Sequence, residues 1–278
     1  MTGIKICGIK YDEDIGIINE LKPDYAGMVL FFEKSKRNIA IDRAAEMIKK
    51  LDKNIQKTAV VVSPDINQIK AITDVGFDYI QIHKDMPDDI LEKITIPVIR
   101  AVNMPDEING AETESNFNDE IEKLIKNDKI YGILFDAGVP GSGKTFRWHR
   151  INGIKEKIKY SGKKFFLAGG LTPDNIEAAI QRMDVWGIDI SSGVETDKKK
   201  DRSKILAAVP MLSVPWCALS KRLIRTSHAP LDSVFQHRRR LKKWQLYRMV
   251  LLWAVPLFVC VRSTDGRQQG RSESMYAA

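Results

Sequence analysis

The chain has 278 residues, 44% of them hydrophobic and 29% charged, a balance that suits a globular protein and excludes a fibrous or low-complexity one. Its formal net charge of +8 is unevenly held. Residues 210–278 contain 12 Lys and Arg against 3 Asp and Glu, while residues 1–209 contain 32 against 33, so an argument for a polyanionic partner reaches only the tail.

Eight short apolar runs, rich in β-branched residues, follow one another at 4–7 (IKIC), 26–31 (AGMVLF), 57–62 (KTAVVV), 78–82 (DYIQI), 97–102 (PVIRAV), 130–135 (IYGILF), 165–168 (FFLA) and 187–191 (GIDIS). Between them lie amphipathic stretches with helical spacing, among them 40–51, 65–75, 119–126 and 173–182, and a last one covers 201–209. Pro64 and Pro173 stand near the first turns of two of these, where a missing N–H costs little. Strands alternating with helices predict βα units on a parallel sheet, and a count of eight favours a closed (β/α)8 barrel over a doubly wound sheet. The barrel is expected to span 1–209.

Side chains alternate inward and outward along barrel strands. In the first run Ile4 and Ile6 share one face and Lys5 and Cys7 the other. In the sixth, Ile133 and Phe135 oppose Leu134 and Asp136; in the eighth, Ile188 and Ile190 oppose Asp189 and Ser191. The apolar sets suit packing against helices. Cys7, Asp136 and Asp189 then face the barrel mouth at the C-terminal ends of strands 1, 6 and 8, the end that carries active sites in this architecture.

Several short motifs sit at strand ends. KICG (5–8) ends a strand in a thiol, which on the motif alone is more often an inert buried cysteine but could take a proton if its surroundings lowered its pKa. LAGGL (167–171) and GIDISSG (187–193) end strands 7 and 8. Gly169, Gly170 and Gly193 allow backbone N–H groups close to an anion, and Ser191 and Ser192 add hydroxyls, a pattern expected of a phosphate site. GVPGSGKT (138–145) fits the nucleotide P-loop pattern and would make Lys144 and Thr145 nucleotide ligands, but it lies in the sixth βα loop of a repeated array. His83 and His149 lack metal-ligand spacing and read as packing or surface residues. Arg37 could hold a carboxylate bidentately.

The chain after residue 209 breaks the repeat. It holds three of the five Trp and two of the three Cys, and its apolar stretch Met249–Val261 is shorter than a membrane span of about 20 residues and contains Pro256. It reads as a basic tail outside the barrel. Three cysteines give no disulfide framework, and the N-terminal MTGIKICGIKYDED lacks the features of a secretory signal, so a cytoplasmic location is expected.

In order along the chain, KICG (5–8), GMVLFFEKSKR (27–37), QIH (81–83), FDAGVPGSGKTFRW (135–148), LAGGLTPDNI (167–176), GIDISSGVE (187–195) and Lys200-Asp201 resemble the phosphoribosylanthranilate isomerase family of tryptophan biosynthesis. The resemblance implies an Amadori rearrangement of a small phosphosugar substrate, without metal or organic cofactor. It implies Cys7 as general base, Asp136 as general acid, Arg37 on the anthranilate carboxylate, Asp189 lining the pocket, and Gly169, Gly170, Ser191, Ser192 and Gly193 on the phosphate. On that scheme Asp136 needs a raised pKa and Cys7 a lowered one. Nucleic acid and membrane are not expected as partners of 1–209. Two departures stand out: Lys84 where the family usually has Gly after QIH, and TDKK (196–199), where a Gly is usual before the final KD. The competing readings are a P-loop nucleotide-binding protein and a non-catalytic phosphate-binding barrel.

Overall fold

The computed structural model describes residues 2–84, 86–103, 111–136 and 152–209. Eight parallel strands form the wall: β1 (Gly3–Cys7), β2 (Tyr25–Leu30), β3 (Gln56–Val61), β4 (Tyr79–Ile82), β5 (Val98–Asn103), β6 (Ile130–Asp136), β7 (Lys164–Ala168) and β8 (Gly187–Ile190). Each pairs with its sequence neighbours, and β1 closes the ring by pairing with both β2 (Cys7 opposite Gly27) and β8 (Ile4 opposite Ile188). Closure excludes the doubly wound alternative. Helices follow the strands: α1 (Asp12–Leu21), α2 (Ile41–Lys50), α3 (Ile66–Val75), α4 (Asp88–Leu91), α5 (Ala111–Lys126), α6 (Asn152–Tyr160), α7 (Ile176–Met183) and α8 (Arg202–Ala208).

Local chemistry sets the helix ends. Asp65 and Gln68 form a reciprocal capping box at the start of α3, and Gly76, at φ 92°, ends it in the left-handed conformation. Asp201 accepts from the amides of Ser203 and Lys204 to start α8. Two helices differ from the expected spans. α7 begins at Ile176 rather than near Pro173, because Asn175 folds 172–175 into a turn by accepting from the amide of Thr172 and donating to the carbonyl of Gly170. α5 reaches back to Ala111, since the polar run before Asp119 is helix-compatible although it shows little apolar period.

The strand alternation separates two cores. Ile4, Ile6, Ile133, Phe135, Ile188 and Ile190 pack outward with the helices. Inside the ring, Tyr25, Ile99, Ala101, Leu134, Phe166 and Ala168 gather against Tyr79, Tyr131 and Trp186. The lower half is an aromatic plug: the rings of Phe166 and Trp186 lie 5.0 Å apart edge to face, and the Tyr25 and Tyr131 hydroxyls 3.3 Å apart. Phe166 fits because its neighbours are glycines. A β-carbon at Gly187 would come within 2.8 Å of the ring, and one at Gly132 within 2.9 Å. Above this plug, the inward polar positions Cys7, Asp136 and Asp189 lie toward the C-terminal ends of the strands.

Candidate active site

Above the aromatic plug comes a charged layer. Lys5 Nζ lies 2.9 Å from Asp189 Oδ2, and the two side chains are 0% and 7% exposed. Asp189 therefore faces inward as its strand position requires, but it forms the floor of the mouth and is tied to Lys5. Burial opposes the Lys5 ammonium, yet Asp189 and Cys7 together hold its pKa above the ordinary lysine value.

Cys7, one inward position higher on β1, is a free, buried thiol. Gly27 stands beside it, and a β-carbon there would come within 3.0 Å of Lys5 Nζ and 3.2 Å of Cys7 Sγ, so the pair needs glycine on β2. The thiol departs from expectation in one respect. Burial, with a smaller contribution from Asp189, pushes its pKa above the ordinary value, and the cations Lys5 and Lys200 do not reverse the shift. A lowered pKa was expected; desolvation prevails in the closed floor.

Arg37 approaches from the loop after β2. That loop is tied by the amide of Phe32 donating to Asn38 Oδ1, the amide of Asn38 donating to the Ser35 carbonyl, and the parallel pairing of Asn38–Ile39 with β2. The arginine crosses directly over Gly8. That residue has φ 82°, and a β-carbon on it would overlap Arg37 Cδ, so the glycine of KICG serves the arginine as well as the turn. Arg37 is not free: its Nε and Nη2 donate to Glu195 Oε1 and Oε2 at 2.7 and 2.8 Å. Lys200 Nζ donates to the same Glu195 Oε1 at 2.9 Å and to the Ser191 carbonyl at 3.1 Å. Although burial resists ionisation, the two cations hold the Glu195 pKa down at about 2. Burial also lowers the pKa of Lys200, and Glu195 only partly restores it. With Glu195 ionised, the triad carries one net positive charge near Cys7, suited to an anionic ligand.

The two glycine-rich loops meet. Gly169 and Gly170 follow β7 with φ 85° and 61°. Ser192–Val194 forms a single 3-10 turn after β8. Gly193 lies so close to Leu171 that a β-carbon would overlap the Leu171 carbonyl oxygen, and this contact brings the two loops together. Asp136 ends β6 half-buried, in register with Asn103 and Ala168. The segment that follows, with the P-loop-like 138–145 and His149, lies outside the described residues, as does everything from Pro210.

The structure brings in residues that the motifs alone did not mark. Lys5, Glu195 and Lys200 supply charge around Cys7. Gln81 and His83 share the inward face of β4 and its extension, with Nε2 atoms 3.0 Å apart, and burial lowers the His83 pKa; the alternation in QIH carries that signal. Lys84, the departure from the family pattern, is exposed. The TDKK departure folds as a two-residue hairpin joining Glu195–Thr196 to Lys199–Lys200, with Asp197 and Lys198 left-handed at φ 51° and 65°. Its second arm delivers Lys200. Among the described residues no cluster of His, Cys, Asp or Glu could hold a metal ion, and no helix is long and apolar enough to cross a membrane.

Residues 4–210 match the family model of N-(5′-phosphoribosyl)anthranilate (PRA) isomerase. N-(5′-phosphoribosyl)anthranilate isomerase of Streptococcus mutans is 36% identical over 208 residues, covering 74% of this chain and 95% of that protein. The enzyme of the same name from Clostridium acetobutylicum is 36% identical over 211 residues, with the same coverage of 74% and 95%. The crystal structure of phosphoribosyl anthranilate isomerase from Thermotoga maritima superposes with a TM-score of 0.65 at 30% identity, covering 76% of this chain and 98% of that one. A further phosphoribosyl anthranilate isomerase structure, in complex with reduced 1-(o-carboxyphenylamino)-1-deoxyribulose 5-phosphate, superposes with a TM-score of 0.62 at 28% identity, covering 75% and 97%.

Proposed function

The chain belongs to the N-(5′-phosphoribosyl)anthranilate isomerase family, and on that premise we propose how its own residues divide the chemistry. The protein is an isomerase of tryptophan biosynthesis, catalysing the Amadori rearrangement of N-(5′-phosphoribosyl)anthranilate to 1-(2-carboxyphenylamino)-1-deoxyribulose 5-phosphate. In our scheme Asp136 protonates the ribose ring oxygen; the C1′–O bond breaks and the furanose opens to a Schiff base. Cys7 then removes the C2′ proton, and the enolamine tautomerises to the ketone as a proton is added at C1′. Both transfers use side chains, each worth roughly 10²–10⁴ in rate.

The observation that carries this division is the position of Cys7, inward at the end of β1, with Lys5 below it and the Arg37–Glu195–Lys200 cluster beside it. Arg37 receives the anthranilate carboxylate and Asp189 underlies the sugar. The loops carrying Gly169, Gly170, Ser191, Ser192 and Gly193 take the phosphate. Fluorescence-monitored consumption of phosphoribosylanthranilate by the full chain tests the reading. Turnover that survives loss of both Cys7 and Asp136 would overturn it. The thiol chemistry needs a reduced Cys7, which favours a cytoplasmic setting.

Gly193→Ala tests the phosphate loops. An added methyl must push the Ser191–Gly193 turn away from Leu171. Each hydrogen bond lost to a charged ligand costs about 1.5–3 kcal/mol, so KM should rise roughly tenfold or more with kcat changed far less. An unaltered KM in a folded variant would remove these loops from substrate binding.

We place the domain boundary at Val209. This residue is buried just after α8, and Ile205 and Ala208 of α8 are buried in the outer core. A chain ending at Val209 should keep the activity of the full chain, with its melting temperature within a few degrees. Insoluble or inactive protein on that truncation would show that residues 210–278 belong to the domain.

A further inference from the structure

The proton-transfer scheme leaves Glu195 unused, yet its side chain is only 7% exposed and is one of the most heavily engaged in the mouth. Its two oxygens grip Arg37 along the Nε–Nη2 edge at 2.7 and 2.8 Å. A guanidinium has five N–H donors in a rigid plane, so a bidentate grip on one edge fixes that plane and aims the Nη1 edge away from the gripping carboxylate. Glu195 is itself held: Lys200 ties it to the Ser191 carbonyl in the loop after β8. The arginine comes from the opposite end of the sequence, 158 residues away, and Gly8 clears its path. Lys200 also restores the positive charge that Glu195 would otherwise cancel.

We infer that Glu195 is a positioning residue for substrate selection, presenting the remaining edge of Arg37 to the carboxylate on the aromatic ring. The inference rests on the reading that Arg37 receives that carboxylate. An untethered arginine would have to be ordered at every binding event, and its plane could turn away from a planar acid. Glu195 and Lys200 remove that freedom before substrate arrives. Discrimination for an ortho-carboxylated ring over a plain phenyl ring then depends on a residue that need not touch the substrate.

The test uses the full chain and two reduced product analogues that differ only in the ring carboxylate: reduced 1-(2-carboxyphenylamino)-1-deoxyribulose 5-phosphate and its reduced phenylamino counterpart. Glu195→Gln should raise KM and weaken the carboxylated analogue about tenfold, equivalent to about 1.4 kcal/mol, with kcat changed less than about threefold. Affinity for the phenylamino analogue should stay unchanged, which also reports an intact site. Arg37→Ala should lose the same selectivity, and adding Glu195→Gln to it should cost nothing more. Selectivity lost in Arg37→Ala but kept in Glu195→Gln overturns the inference and leaves the arginine reading standing. Selectivity kept in Arg37→Ala overturns that reading and the inference with it. Equal weakening of both analogues in Glu195→Gln would mark a structural role and also overturn the inference. If Glu195→Gln does not fold, Glu195→Asp, which keeps the charge but shortens the reach, is read by the same comparison.

Discussion

Cys7→Ala should lower kcat by at least about 10²-fold while leaving the protein folded. The side chain is small, so its removal opens only a modest cavity at the top of β1. The loss should therefore appear in kcat rather than in stability, and a melting curve beside steady-state kinetics separates the two. The pH profile gives a second readout. Burial holds the thiol above its ordinary pKa, so the thiolate fraction, and kcat/KM with it, should still be climbing on the alkaline side of neutrality. Cys7→Ala should flatten that limb. A limb below pH 7 would mean that Lys5 and Lys200 outweigh desolvation in solution. Near wild-type turnover in the variant would remove Cys7 from the mechanism.

The barrel was legible because its pattern is local. Ile4 and Ile6 against Lys5 and Cys7, or Ile133 and Phe135 against Leu134 and Asp136, need only the two-residue period of a strand to be assigned to a face. Eight such runs then imply closure. The glycines of KICG and SSG were legible as flexible points, but not for what they clear. Gly8 makes way for Arg37 and Gly193 for the Leu171 carbonyl, and both neighbours are distant in sequence or in another loop. The Arg37–Glu195 clamp was hidden for the same reason. It joins residues 158 apart, and a Glu in a loop looks like any solvated carboxylate until the fold buries it. Lys200 was visible only as part of a KD pair, and its burial depends on a hairpin through two left-handed residues, Asp197 and Lys198, neither of them the glycine such a turn favours. The direction of the Cys7 shift was not readable either, since it is a contest between burial and charge that only packing decides.

Lys5→Met should be the most destabilising of the substitutions considered, by about 3–5 kcal/mol. The lysine is fully buried within the ring and its ammonium is 2.9 Å from Asp189 Oδ2. Asp189 Oδ1 has no hydrogen-bond partner among the described residues, so removing Lys5 would strand a buried carboxylate. Methionine fills most of the lost volume, so the cost is that of an uncompensated charge rather than of a cavity. At about 2–4 °C per kcal/mol for a domain of this size, the melting temperature should fall by roughly 6–20 °C. A further measurement ties the loss to charge. The double variant Lys5→Met with Asp189→Leu should recover much of the stability, because an apolar pair of similar volume commonly replaces a buried ion pair at little cost. It should not recover activity, since the proposed scheme sets Asp189 under the sugar and Lys5 is the cation beneath Cys7. A loss under about 1 kcal/mol in Lys5→Met would show that the pair contributes nothing to holding the floor of the site.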